Sequence, residues 1–160
     1  MLKFKLFNGD DINDLEEYLK NYYAKNPDII IYVGTDSAQH GRMTKYATII
    51  SFLHPRKGGH VIYTKSNSKR EKDLFNRLWK EVEYTREVAD YIHSTLDGIY
   101  IKTDDKKIPI IHLDFNKQSR YKSNVIHDIS VGYLTGLGYK VETKDLAWAA
   151  SVMADYFVKN

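Results

Sequence analysis

The chain has no cysteine among its 160 residues. Disulfides, thiolate metal sites and cysteine nucleophiles are therefore excluded, and any metal must rest on carboxylates or on the six histidines. Oxygen donors of that kind suit Mg2+ or Mn2+. Proline is scarce, with three residues at positions 27, 55 and 109, so few points forbid helix or strand outright. No apolar run approaches the roughly 20 residues of a membrane span, and Met1 to Lys5 alternates apolar with charged residues where a secretory leader is continuously apolar. These absences predict a cytoplasmic chain with no membrane partner. Glycine-rich phosphate loops are missing as well. Charge of one sign is not in great excess: 24 Lys and Arg stand against 21 Asp and Glu, a net +3 that is compatible with nucleic acid without requiring it.

What is present describes a globular chain. Hydrophobic residues make up 42% and charged residues 28%, enough for a real core at a length that predicts one domain over residues 1–160. Thirteen tyrosines lie among basic residues, where rings can stack on bases or simply pack. Leu2, Phe4 and Leu6 predict a short strand, residues 8–11 a turn with helix-capping side chains, and Leu15, Leu19 and Tyr22 a helix to about Ala24. Residues 1–27 thus read as a strand-helix extension ahead of a core at 28–160.

From position 28 the pattern predicts strands at 28–36, about 43–53 and about 60–66, joined by short turns as an antiparallel meander. Ser68 and Glu71 have the spacing of a capping box, predicting a long helix from there to about Leu96. A strand at about 108–115, a helix at 121–136, a strand at 139–143 and a final helix from about 146 complete an α/β chain. Its expected sheet is mixed and five-stranded, three antiparallel strands followed by two crossover strands, with helices flanking it.

Acids stand where the apolar pattern gives no reason for them. Asp36 ends a run of isoleucine, tyrosine and valine, and shares a strand face with Gly34, where a missing side chain leaves room. Asp114 ends a second such run, with His112 on its face as either a hydrogen-bonding partner or a structural histidine. On the long helix, Leu74, Leu78, Val82, Ala89, Ile92 and Leu96 form the buried stripe, bridged by Thr85. At about 100° per residue Glu81 falls on the edge of that stripe, whereas Glu83 and Glu87 face away. Two acids compete for a fourth place: Asp145 at a helix start and Asp155 beside a small-residue face. Between Asp114 and Asp145, Asn116, Lys117, Arg120, Lys122 and Ser123 offer donors suited to phosphate.

Carboxylates gathered from strand ends and a helix edge repel one another unless cations hold them. Two divalent ions roughly 3.5–4 Å apart would neutralise them and support phosphodiester hydrolysis. The element order, with acids on the first core strand, the first core helix and the fourth strand, resembles the ribonuclease H-like fold. Residues Val33 to Ser37, Glu81, Glu87 to Ala89, His112 to Asp114, Lys122, Ser123, Gly138, Lys144, Ala149 to Ser151, Ala154 and Asp155 resemble the YkuK-like family of predicted ribonuclease H-like proteins. The chain departs from that family in carrying Ala38 between Ser37 and Gln39, and Asp145 where the family has proline. The second departure favours Asp155 over Asp145. The resemblance implies a Mg2+- or Mn2+-dependent nuclease acting on RNA, RNA–DNA hybrid or DNA, with Asp36, Glu81, Asp114 and Asp155 as metal ligands and Lys144 among the phosphate contacts. The alternatives are a non-catalytic nucleic-acid-binding or protein-interaction module on the same fold, and an actin-like phosphotransferase, which the missing glycine-rich loops disfavour.

Overall fold

The computed structural model of the protein describes residues 2–100, 108–114, 120–143 and 157–158, with backbone alone for 98–100 and 120–123. Strand β1 (Lys5–Leu6) is followed by helix α1 (Leu15–Lys25), which starts later than the 8–11 turn: the Asp14 carboxylate accepts from Glu17 N at 3.0 Å and caps it. Leu15, Leu19 and Tyr23 form its buried stripe, and Pro27 follows its end.

Strands β2 (Ile30–His40), β3 (Met43–His54) and β4 (Gly58–Lys69) make the expected antiparallel meander, each longer than the pattern indicated. Gly41, at φ 56, supplies the left-handed residue of the turn between β2 and β3. The capping box at Ser68–Glu71 is not used. β4 keeps its ladder with β3 through Thr44↔Ser68 and Met43↔Lys69, and Glu71 N then donates to Thr44 Oγ1 at 2.9 Å, so pairing holds this segment extended. Helix α2 (Leu74–Tyr100) begins after Asp73, whose carboxylate accepts from Asn76 N at 3.0 Å.

Beyond α2 come β5 (Ile110–Leu113), α3 (Arg120–Gly136) and β6 (Val141–Thr143). Gly138, at φ 97, closes α3 with its N–H bonded to Thr135 O, and Tyr139 N bonds Leu134 O at 3.1 Å. The final helix expected from about 146 lies outside the described residues, apart from helical Phe157 and Val158.

The sheet is mixed, as expected, but has six strands rather than five, in the order β1-β4-β3-β2-β5-β6. The first strand is not a preface: it pairs antiparallel with β4 through Lys5↔Tyr63 and Leu6↔Ile62. Doing so covers part of an otherwise open edge and buries Phe4 in the main core. β5 and β6 run parallel to β2. The main core packs α1, α2 and α3 on one face, around Val33, Ile50, Ile62, Val82, Ile92 and Ile126. A smaller cluster on the other face joins Ala47, Ile49 and Tyr63 to Phe157 and Val158. Among the described residues, no helix is long and apolar enough to cross a membrane.

Candidate carboxylate site at the end of β5

Unequal strand lengths create the site. β5 pairs with β2 only from Tyr32 to Gly34, whereas β3 pairs with β2 as far as His40. Asp36 and Ser37 therefore sit just past the point where the β5 ladder stops. Asp114 directly follows the end of β5, and the parallel register Gly34↔His112, carried on by two residues, sets it level with Asp36.

Alternation along β2 turns Thr35 and Ser37 toward α2 and the Asp36 Cβ the other way. Asp36 Oδ1 accepts from Ser37 N at 2.9 Å. Glu81 meets Asp36 from α2. It is 2% exposed, as its place at the stripe's edge predicts, whereas Glu83 pairs with Arg86 at 3.3 Å and Glu87 is exposed. Glu81 Oε1 accepts from Ser37 Oγ at 3.2 Å, and Ser37 Oγ accepts from Arg77 Nε at 2.8 Å. Its other oxygen, Oε2, is buried with no hydrogen-bond donor among the described residues.

Burial first, then the charge of Asp36, raises the Glu81 carboxyl well above the ordinary carboxylate range; Arg77 partly offsets this. A side-chain hydrogen bond with Asp36 raises it further. The orphaned oxygen and that bond are consistent if Glu81 carries a proton shared with Asp36, because two carboxylates have no donor between them.

A turn farther along α2, Thr85 Oγ1 donates to Thr35 Oγ1 at 2.8 Å and lies 2.9 Å from Glu81 O, while Thr35 and Thr48 hydroxyls pair at 2.9 Å. This hydroxyl chain ties α2 to β2 and β3 and holds the Glu81 backbone. His112 is fully buried and bonds Glu142 Oε2 through Nε2 at 3.0 Å, across the register pair His112↔Glu142. Burial lowers its pKa, so a neutral ring donates Nε2–H to Glu142; that bond gives it a structural task between β5 and β6.

Asp36 and Glu81 are thus brought together. Among the described residues, no group of three or more carboxylate and histidine side chains gathers at metal-binding distance, so Asp114 does not complete a three-ligand cluster. Asn116, Lys117, Lys144, Asp145 and Asp155 lie outside the described residues, and Arg120, Lys122 and Ser123 occupy the first turn of α3 without described side chains. Still, the pair fits a hard divalent cation: its donors are oxygens, and a buried carboxylate oxygen lacking a donor faces a second acid. Sequence reasoning missed Arg77. It stands four residues before Glu81, one turn away on the same helix face, which is the signal that could have found it. A cleft of about 1160 Å3 between the N-terminal segment and α2 shares no residue with the pair. Asp11, Asp14, Glu16, Glu87 and Asp90 line it, an acidic set unsuited to a polyanion.

Over residues 12–159 the sequence matches the family described as Ribonuclease H-like. The chain belongs to the ribonuclease H-like family. No curated protein and no solved structure gives a significant match. Membership agrees with the mixed sheet flanked by helices and points to a nuclease-type or nucleic-acid-related function. Within the ribonuclease H-like order, the edge strand β1 is an addition to the five strands expected from sequence.

Proposed function

We propose that this ribonuclease H-like protein is a divalent-metal-dependent nuclease that hydrolyses phosphodiester bonds in RNA, RNA–DNA hybrid or DNA. The observation that carries the reading is the buried Glu81 carboxyl, lacking a donor at Oε2 and set against Asp36. Asp36 and Glu81 would hold Mg2+ or Mn2+, joined by Asp114 and by Asp155 or Asp145. Two such ions would supply an activated water and neutralise the leaving oxygen.

The chain's own residues prepare for that chemistry. Ser37 orients one Glu81 oxygen, Arg77 balances part of the acid charge through Ser37, and the Thr85–Thr35–Thr48 chain keeps α2 seated on the sheet. A hard cation needs both carboxylates ionised, and burial beside Asp36 raises the Glu81 pKa against that, so metal affinity would rise with pH. Asn116, Lys117, Arg120, Lys122, Ser123 and Lys144 would contact phosphates near the acids, and the absence of cysteine suits work in the cytoplasm.

The test is a panel of labelled RNA, hybrid, single-stranded DNA and branched substrates with Mg2+ or Mn2+. Asp36→Asn and Asp114→Asn are expected to abolish cleavage, while Lys117→Ala and Lys122→Ala weaken salt-sensitive binding. Binding across the panel without cleavage, unchanged by Asp36→Asn, would instead support the non-catalytic binding module.

A further inference from the structure

Helix α2 carries two arginines that are held in different ways. Arg86 is fully engaged: its Nη1 lies 2.6 Å from Asp90 Oδ2 and its Nη2 lies 3.3 Å from Glu83 Oε2, so acids of its own helix occupy both terminal nitrogens. Arg77 is held at Nε alone, which donates to Ser37 Oγ at 2.8 Å. Among the described residues no acid pairs with Arg77, and neither Nη1 nor Nη2 has a hydrogen-bond acceptor. Four of its five N–H donors are unused.

The unused end sits beside the acid pair. One hydroxyl, Ser37 Oγ, separates Arg77 from Glu81, whose Oε1 accepts from it at 3.2 Å. Arg77 is half-buried on the α2 side of the sheet, whereas Phe157 and Val158 pack on the opposite face. Its position is also costly, because it lies in the first turn of α2, where the helix dipole disfavours a cation. The next cation on this helix, Lys80, is already engaged over the rings of Tyr46 and Tyr84, 5.3 and 6.0 Å from their centroids.

Offsetting acid charge explains an arginine near Glu81, but not the way this one is attached. Direct pairing with a carboxylate, as Arg86 makes with Glu83 and Asp90, gives a shorter and stronger contact. Here a neutral serine stands between, and Arg77 moves the Glu81 pKa less than burial or Asp36 does. Ser37 fixes the guanidinium and leaves its fork open. That fork matches two oxygens of a phosphate.

We infer that Arg77 is a substrate-binding residue, whose Nη1 and Nη2 take the non-bridging oxygens of a backbone phosphate next to the one held at Asp36 and Glu81. The inference rests on the proposed function in taking a nucleic-acid strand as the ligand, and it adds a phosphate contact on α2. The chemistry recognised is a phosphodiester, common to RNA and DNA.

The test is a double-variant cycle on binding of the full chain, in chelator, to labelled single-stranded RNA and DNA of one sequence over a salt series. The Glu81→Gln background decides it, because no Glu81 charge is left there to offset. Adding Arg77→Gln to that background should weaken binding about tenfold or more and lower the slope of log affinity against log salt by about 0.7, the share of one phosphate on a single strand. Arg77→Lys should keep the slope but recover only part of the affinity, since an ammonium keeps the charge and loses the fork. Thermal melts show which variants are folded, and Arg77→Lys carries the test where Arg77→Gln is not. Affinity lost only while Glu81 is present, an unchanged salt slope in Arg77→Gln, or full affinity in Arg77→Lys overturns the inference. So does failure of the Glu81→Gln protein to bind either strand. Adding Mg2+ or Mn2+ to the wild type and Arg77→Gln separates the two readings. Cleavage by Arg77→Gln at unchanged KM overturns the phosphate contact and leaves the nuclease; arginine-dependent binding without cleavage by the wild type supports the contact and removes the nuclease.

Discussion

Helix α2 meets the same sheet in two different ways. Toward its C-terminal end, Ala89, Ile92 and Leu96 are fully buried in a core that includes Val33, Ile50 and Ile111. Toward its N-terminal end, Arg77, Glu81 and Thr85 meet Ser37, Thr35 and Thr48 through hydrogen bonds. A buried aliphatic side chain contributes about 1.5–3 kcal/mol, whereas a buried polar group without a partner costs about 1–3 kcal/mol. One half of the contact therefore stabilises the fold and the other draws on that stability to keep a carboxyl dry beside Asp36. An interface built only for packing would not place an unsatisfied acid where apolar neighbours are a turn away.

The sharpest way to break this comparison is to damage the apolar half. Ile92→Ala should lower unfolding free energy by about 2–5 kcal/mol in urea titrations. A loss well below 1 kcal/mol would show that the packed half does not anchor the helix.

The polar half should respond in the opposite direction. Glu81→Gln removes the group that takes up a proton on folding and should raise stability by about 1–3 kcal/mol near neutral pH without divalent ions. The pH dependence fixes the sign. Because the folded-state pKa of Glu81 is raised above 4.5, the wild type is most stable below that pH and loses stability as pH rises toward the folded-state value. Melts of both proteins in chelator should converge at low pH and separate as pH rises; parallel curves would rule out Glu81 as the source.

Metal addition sharpens the contrast further. Mg2+ should raise the wild-type melting temperature, with the increment growing with pH, and should have little effect on Asp36→Asn. Equal shifts in both proteins would place the ion elsewhere. The smallest expected effect belongs to the hydroxyl chain: Thr85→Val should cost about 1 kcal/mol in the same urea titrations, since it leaves Thr35 its bond to Thr48.

Much of this architecture was legible residue by residue. Alternating and continuous apolar runs announced β2, β3 and β4, and the three-and-four spacing of Leu78, Val82, Thr85, Ala89, Ile92 and Leu96 announced α2 and the inward aim of Glu81. The capping box misled because Ser68 and Glu71 carry a local helix signal that cross-strand pairing with β3 overrides. β1 was read as an extension because a two-residue pairing with β4, distant in sequence, leaves no periodic trace. His112 stayed ambiguous until Glu142, on a strand 30 residues away, was placed beside it.

By itself the sequence determined the class of the fold, the absence of thiol chemistry and the positions of the acids, because these follow from residue type and from periods of 2 and 3.6 that act over a few neighbours. Only the tertiary structure decided that the pairing of β5 with β2 stops two residues short of Asp36, and that Arg77 reaches Ser37 and Ser37 reaches Glu81. Those outcomes depend on strand register and on the depth at which a helix settles on the sheet. Both are set by contacts among residues far apart in the chain, and no local pattern carries them.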